Sequence, residues 1–181
     1  MPCIMRSTMS TPLPSESPVT AADLVHAGLE SSPFVLLLDG PVDGETRLKC
    51  ERAIRVVPGK RLVCRGERDG EAVFVKLYLG NSRHWQSELQ GLQALHAAGI
   101  AAPHVVHAGT ADHGAVHAIL LEPVPAARTF EAAWEQAQDE ATRIRLLEQA
   151  AGTIALHHRA GLAQQDIHLD NFLLSGDRLY T

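Results

Sequence analysis

Several absences narrow what this chain can be. Its cysteines, Cys3, Cys50 and Cys64, are odd in number and hold no CxxC spacing. That excludes a disulfide framework and a paired-thiolate metal clip, and it fits a reducing compartment. Aromatic residues make up 4% of the chain and the net charge is −5, so stacking platforms and an overall basic field are both missing and nucleic acid is excluded as a partner. The longest apolar run, Phe34 to Leu38, falls far short of the about 20 residues of a transmembrane helix. The N-terminus shows no basic region followed by a long apolar one, and no repeat of solenoid period occurs. The expectation is a soluble, cytoplasmic protein.

What is present is ordinary globular material with one anomaly. An apolar content of 45% and a charged content of 20% over 181 residues suffice for one good core or two small lobes. The anomaly is the segment from Arg47 to Arg65, where Arg47, Lys49, Arg52, Arg55, Lys60, Arg61 and Arg65 face the single acid Glu51. Such a run is either a solvated strand face or an attractor of phosphates or an anionic surface.

Residues 1–20 are rich in Ser, Thr and Pro with little to bury, so a disordered leader is expected. From Arg52 the pattern is strand-like: ERAIRVV, a PGK turn, RLVCRGE, an RDGE hairpin signal, then AVFVKLYLG, a three-strand meander. The stretch from Asn81 to Ala98 predicts a helix, capped by Asn81 or Ser82 and stopped by Gly99. Two short strands around a DHG turn follow, up to Pro123 and Pro125. Phe130 to Gln138 and Thr142 to Ala160 predict helices, the second stopped by Gly161, and NFLL-SGDR-LYT predicts a hairpin. The order gives an α+β fold with three spans: the leader at 1–20; a β-rich lobe at 21–122 with a five-stranded antiparallel sheet and one helix; and a helical lobe at 123–181 that ends at a chemically loaded loop and its hairpin.

That loop is GLAQQDIHLDNFLL, residues 161–174. Asp166 and Asn171 stand in a D-x-x-x-x-N spacing, framed upstream by Leu156, His157, Gly161 and Leu162. The combination resembles the catalytic loop of protein-kinase-like phosphotransferases, which implies that Asp166 meets the acceptor hydroxyl and takes its proton while Asn171 offers a carbonyl oxygen to Mg²⁺. Asp170 is read as a loop-capping Asx residue. His168 stands where small-molecule kinases of the aminoglycoside type carry histidine, which leans towards a non-protein substrate.

Three further positions agree with that resemblance. Lys76 lies inside the apolar run AVFVKLYLG, and an ammonium among buried neighbours requires a counter-ion or ligand. Glu88, 12 residues on and within the next predicted helix, matches the strand-lysine and helix-glutamate pair that holds ATP phosphates in kinases. The bland alternative is a lysine snorkelling from an edge strand and a glutamate on a wet helix face. In ILLEPVP, Leu121 takes the gatekeeper place, and Glu122 and Val124 take the places whose carbonyl and amide meet adenine; Pro123, without an amide hydrogen, falls between them. A proline-rich linker without ligand is the alternative there.

The pattern also departs from the protein kinases. The G-x-G-x-x-G loop is absent: the turn reads VVPGKRLV, with Gly59 as its one glycine and Lys60 or Arg61 as electrostatic help for a phosphate. Gln164 and Gln165 replace the usual His-Arg before Asp166, so regulation through an activation-loop phosphate is not expected. The kinase pattern places a second metal-binding acid a few residues beyond the hairpin, and Asp177, in the SGDR turn, is no substitute. The expectation is a chain that stops within a longer enzyme and is itself catalytically silent.

The stretches PGKRLVCRGERDGEAVFVKLYLG, ELQGLQALHAAGIAAP, ILLEPVPAA and LHHRAGLAQQDIHLDNFLL resemble the bacterial lipopolysaccharide kinase family, over about Glu51 to Thr181. The resemblance implies a protein-kinase-like two-lobed fold, ATP and Mg²⁺, a Kdo or heptose hydroxyl of the lipopolysaccharide core as acceptor, and a cytoplasmic site of action with peripheral association to the inner membrane. Two other classes stay open: a small-molecule kinase of the aminoglycoside or choline type, and a pseudokinase or nucleotide-binding module.

Overall fold

A computed structural model describes residues 17–39, 46–80, 82–163 and 168–181. Helix α1 (Ala21–Val25) precedes strands β1 (Phe34–Leu38), β2 (Thr46–Val57), β3 (Arg61–Arg68) and β4 (Glu71–Leu79), and helix α2 (Arg83–Ala97) follows. Then come β5 (Val105–Ala111), β6 (Val116–Leu121), β7 (Arg128–Thr129), α3 (Phe130–Gln136), α4 (Glu140–Arg159), β8 (Leu173–Ser175) and β9 (Arg178–Tyr180). Among the described residues no helix is long and apolar enough to cross a membrane.

The first six strands close into a barrel in the order β1-β2-β3-β4-β6-β5. Alternation drives the closure: Val73, Val75 and Leu77 of β4 and Val116, Ala118 and Leu120 of β6 point inward and are buried, as are Leu36, Leu48, Leu62 and Cys64. Cys50 and Cys64 are free thiols inside this core. Burial, and then the neighbouring Cys64, push the Cys50 thiol well above its usual range. β2 and β3 approach so closely that a Cβ on Gly66 would strike the carbonyl oxygen of Lys49.

Two expectations are corrected. The sheet has six strands rather than five, because Phe34–Leu38 pairs with both β2 and β5. This strand is buried at every position but Leu37, which is half-buried, so it carries an unbroken apolar run instead of the alternation that marks a half-exposed strand. The leader does not reach residue 20: Pro18 bridges Val35, Val19 is buried, and Thr20 caps α1 in a capping box with Asp23. Residues 1–16 lie outside the described residues. Helix ends shift by one or two residues, with Thr129 and Asp139 as the N-caps of α3 and α4.

Contacts divide the chain into two units. One takes the chain to Gln86 plus Val106–Leu121 and contains the barrel; the other takes Ser87–Val105 plus Glu122–Thr181. In the second, β7-β8-β9 form a small antiparallel sheet. α3 and α4 pack around Phe130, Ala133, Leu146, Phe172, Leu174 and Leu179.

Candidate functional site

In the barrel unit, inward placement of Val75 and Leu77 leaves Lys76 between them on the outer face of β4. Its register partners are Val63 on β3 and Ile119 on β6, both buried. The neighbouring row sets Phe74 between Arg65 and Leu121. Lys76 is therefore a half-buried ammonium rooted in apolar side chains, and it is not without a polar partner. Gly59 sits at φ +65° in the turn between β2 and β3, a left-handed conformation that glycine adopts without strain. Two backbone bonds hold that turn: Lys60 N donates to Val57 O at 3.0 Å, and Leu79 N donates to Lys60 O at 2.8 Å. The first turn of α2 is anchored to the same unit by Trp85, whose Nε1 donates to Ala118 O at 3.1 Å and whose ring lies 5.2 Å from that of His117.

The second unit holds Glu88, Glu122, Val124 and Asn171. Glu88 is in α2, and, like Asn171, it is not without a partner. The linker after β6 is fixed from two sides. Glu122 N donates to His104 O at 2.8 Å, and the Ser175 hydroxyl donates to Pro125 O at 2.6 Å. Ala127 N donates to Val124 O at 3.4 Å. This pairing engages the amide of Glu122 and the carbonyl of Val124; the carbonyl of Glu122 and the amide of Val124 stand outside it. A cleft of about 320 Å³ opens beside the linker, lined by Glu122, Val124, Tyr180 and the stacked rings of His96 and His104, whose centroids are 4.7 Å apart.

Asn171 closes a single 3-10 turn, Leu169–Asn171, in which Asn171 N donates to His168 O at 2.9 Å. Phe172 follows with its side chain buried and its carbonyl accepting from Phe130 N at 2.8 Å. Leu173 and Leu174 then pair with Thr129 and Arg128. The linker and the segment after Asn171 are thus brought together in one small sheet, which the sequence reading did not foresee because β7 is two residues long. Asp177 occupies the β8–β9 turn, as expected. Asp166 lies outside the described residues.

Two contacts escaped sequence reasoning altogether. Glu131, in the first turn of α3, has its carboxyl raised above the ordinary value by the neighbouring Asp170 carboxyl, through side-chain hydrogen bonding first and like charge second, with His168 acting the other way. Asp170 also lies 3.7 Å from Nδ1 of His168. In addition, His157 is buried near the end of α4, its Nε2 3.3 Å from the hydroxyl of Thr181, while Thr181 N donates to Ala101 O at 3.0 Å. Burial, and then His158, lower the His157 imidazole. Nothing in local periodicity signals contacts between residues this far apart in the chain.

Among the described residues no group of three or more His, Cys, Asp or Glu could hold a metal ion. Asn171 supplies one oxygen ligand of the kind a divalent cation takes, and the described residues do not complete a set around it.

A family model described as lipopolysaccharide kinase (Kdo/WaaP) family matches residues 68–178. A solved structure of WaaP in complex with acyl carrier protein is similar at 28% identity and TM-score 0.50, covering 71% of this chain and 58% of that one. A structure of vaccinia related kinase 3 is similar at 10% identity and TM-score 0.52, covering 82% of this chain and 49% of that one. At that identity it shows the fold alone, which is kinase-like. The chain thus spans about half the length of the two solved chains. No curated protein matches it.

Proposed function

Because the chain belongs to the lipopolysaccharide kinase (Kdo/WaaP) family, we propose that it forms part of an enzyme that transfers the γ-phosphate of ATP to a sugar hydroxyl of the lipopolysaccharide core, a Kdo or a heptose. The observation that carries the proposal is that the matched span, residues 68–178, contains Lys76, the linker and the Asp166–Asn171 loop together. The pinning of that linker to the hairpin after Asn171 supports it.

In this reading Lys76 meets the nucleotide phosphates. Gly59 and Lys60 cover the phosphates from the β2–β3 turn. The Glu122 carbonyl and the Val124 amide, the two linker groups outside the pairing with His104 and Ala127, take the adenine edge. Asp166 accepts the proton of the acceptor hydroxyl as its oxygen attacks Pγ and the bond from Pγ to the bridging oxygen breaks, releasing ADP. Asn171 offers its side-chain oxygen to the divalent cation that kinases bind with ATP, which neutralises charge on the phosphates.

The test is transfer of labelled γ-phosphate from Mg²⁺-ATP, with the intact enzyme of which the chain forms part and a panel of acceptors: Kdo-lipid A, heptosylated core, an aminoglycoside and choline. Labelling of a core sugar is expected, and Asp166→Ala should lower turnover by about 10²-fold or more while nucleotide binding persists. Unchanged turnover in that variant removes Asp166 from the role. Preference for the aminoglycoside or choline favours the reading that His168 suggests, and nucleotide binding with no acceptor labelled favours a nucleotide-binding module.

A further inference from the structure

Two sides can be told apart on the outer face of the barrel. Toward β6 it is apolar, with Ile119 and Leu121 buried and Phe74 half-buried. Toward β2 it is cationic, with Arg52, Arg55 and Arg65 all exposed. Register joins the two in rows: Arg55, Val63, Lys76 and Ile119 make one row, and Arg52, Arg65, Phe74 and Leu121 make the next. Register shifts in β2, between Cys50 and Arg52 and between Ala53 and Arg55, keep both arginines on this face while Cys50 and Ala53 stay buried. A bulge does this by setting two residues against one. Two features of the second row are left unexplained by the barrel. Arg52 stands opposite Arg65, like charges placed so destabilise a sheet, and among the described residues no ion pair reaches either. Phe74, next in the row, is only half-buried, on a strand whose inward residues Val73, Val75 and Leu77 are fully buried. The row ends at Leu121, and the next residue in the chain is Glu122.

We propose that Phe74 and Arg65 form the platform on which the purine ring of the phosphate donor stacks. Resting on the nucleotide reading above, the platform takes the face of a base whose edge is given to the linker. Planarity selects the ligand. A phenyl ring and a guanidinium both present flat surfaces to a π-system. A π-face also attracts a cation, which offsets the opposition of Arg52 to Arg65 without requiring an anion. The order of the rows fits a nucleotide: the apolar end lies toward Leu121, and Lys76, to which the phosphates are assigned, stands in the adjoining row. A free phosphate or carboxylate would use the arginines and leave Phe74 idle. An aliphatic ligand would use Phe74 and leave the arginines idle.

Calorimetric titration of the intact enzyme of which the chain forms part, with Mg²⁺-ATP and with Mg²⁺-tripolyphosphate, separates the base from the phosphates. Phe74→Leu keeps apolar bulk and removes the ring; it should weaken ATP binding by about tenfold and leave tripolyphosphate binding unchanged. Phe74→Tyr keeps the ring and should bind ATP as the wild type does. Arg65→Lys keeps the charge and loses the plane, so it should weaken ATP binding by about threefold and spare tripolyphosphate. Undiminished ATP binding by Phe74→Leu overturns the proposal, as does wild-type binding of tripolyphosphate as tight as that of ATP. A loss shared by tripolyphosphate in Arg65→Lys gives the arginine to the phosphates and overturns it too. Arg65 is exposed, so its variant decides the matter even where a change at the half-buried Phe74 disturbs folding. Label transfer is measured on the same preparations: transfer with no ring dependence of binding sinks the platform alone, and ring-dependent binding with no transfer sinks the phosphotransfer reading alone.

Discussion

In the barrel unit Phe34, Leu36, Leu48, Leu62, Val75, Leu77, Val116 and Leu120 are all essentially inaccessible to solvent, and closure gives each of six strands a neighbour on both sides. In the second unit the longest element, the 20-residue α4, buries only Leu146 and His157, while Ile144, Leu147 and Leu156 stand 47%, 53% and 45% exposed. The barrel satisfies its own backbone and apolar surface, because a closed sheet has no free edge. A helix has no such option: its apolar stripe is buried only by whatever is laid against it. The same chain therefore contains one region whose stability is set by its own closure and one whose main helix retains apolar surface, of the kind that marks interaction sites.

Core truncation should show the contrast most strongly. Phe34→Ala, in the strand that completes the barrel, is expected to cost about 3–5 kcal/mol by denaturant unfolding; a loss under about 1 kcal/mol would mean that β1 is not needed for closure. Helix ends come next. Thr129→Ala removes the side-chain bond to Ala132 N at 3.1 Å and should cost about 1 kcal/mol, more than Thr20→Ala at the five-residue α1, and the reverse order would show that α1 depends on its cap more than α3 does.

A pH effect follows. His157 is buried and its imidazole is held below the ordinary value. Below about pH 6.5 the unfolded chain takes up a proton that the folded one resists. Stability in the wild type should therefore fall as pH is lowered through that window, and His157→Gln should flatten the fall; an identical pH profile in the variant would remove His157 as its source. The smallest effect belongs to the exposed stripe. Leu147→Gln should change stability by no more than about 0.5 kcal/mol while reducing self-association of the chain in light scattering. A loss of 2 kcal/mol or more would show that Leu147 packs against something in solution.

Much of the architecture was legible locally. β-branched and aromatic residues between turn signals identified β4, the DHG turn identified β5 and β6, and Gly99 and Gly161 marked the ends of α2 and α4, each adopting the positive φ that stops a helix. The kinase-like fold class and the family were readable from short stretches, because catalytic spacing is local along a loop and a linker. Phe34–Leu38 was not recognised as a strand because a strand buried on both faces loses the period that distinguishes it. The position of Lys76 on the outer face followed from the same alternation that buried Val75 and Leu77. Its neighbours Val63 and Ile119 are set by the register of two other strands.

By itself, then, the sequence determined the elements, the turn chemistry and the residue types of the proposed nucleotide site, since each depends on side chains within a few positions of one another. Only the tertiary structure decided that six strands close, that Arg52 must face Arg65, that Ser175 ties the Pro125 linker to the hairpin after Asn171, and that Glu131 meets Asp170 and His157 meets Thr181. These are pairings across 13 to 50 positions of chain. No local period encodes them, because register, bulges and loop closure are settled by the packing of the whole unit and not by any one segment.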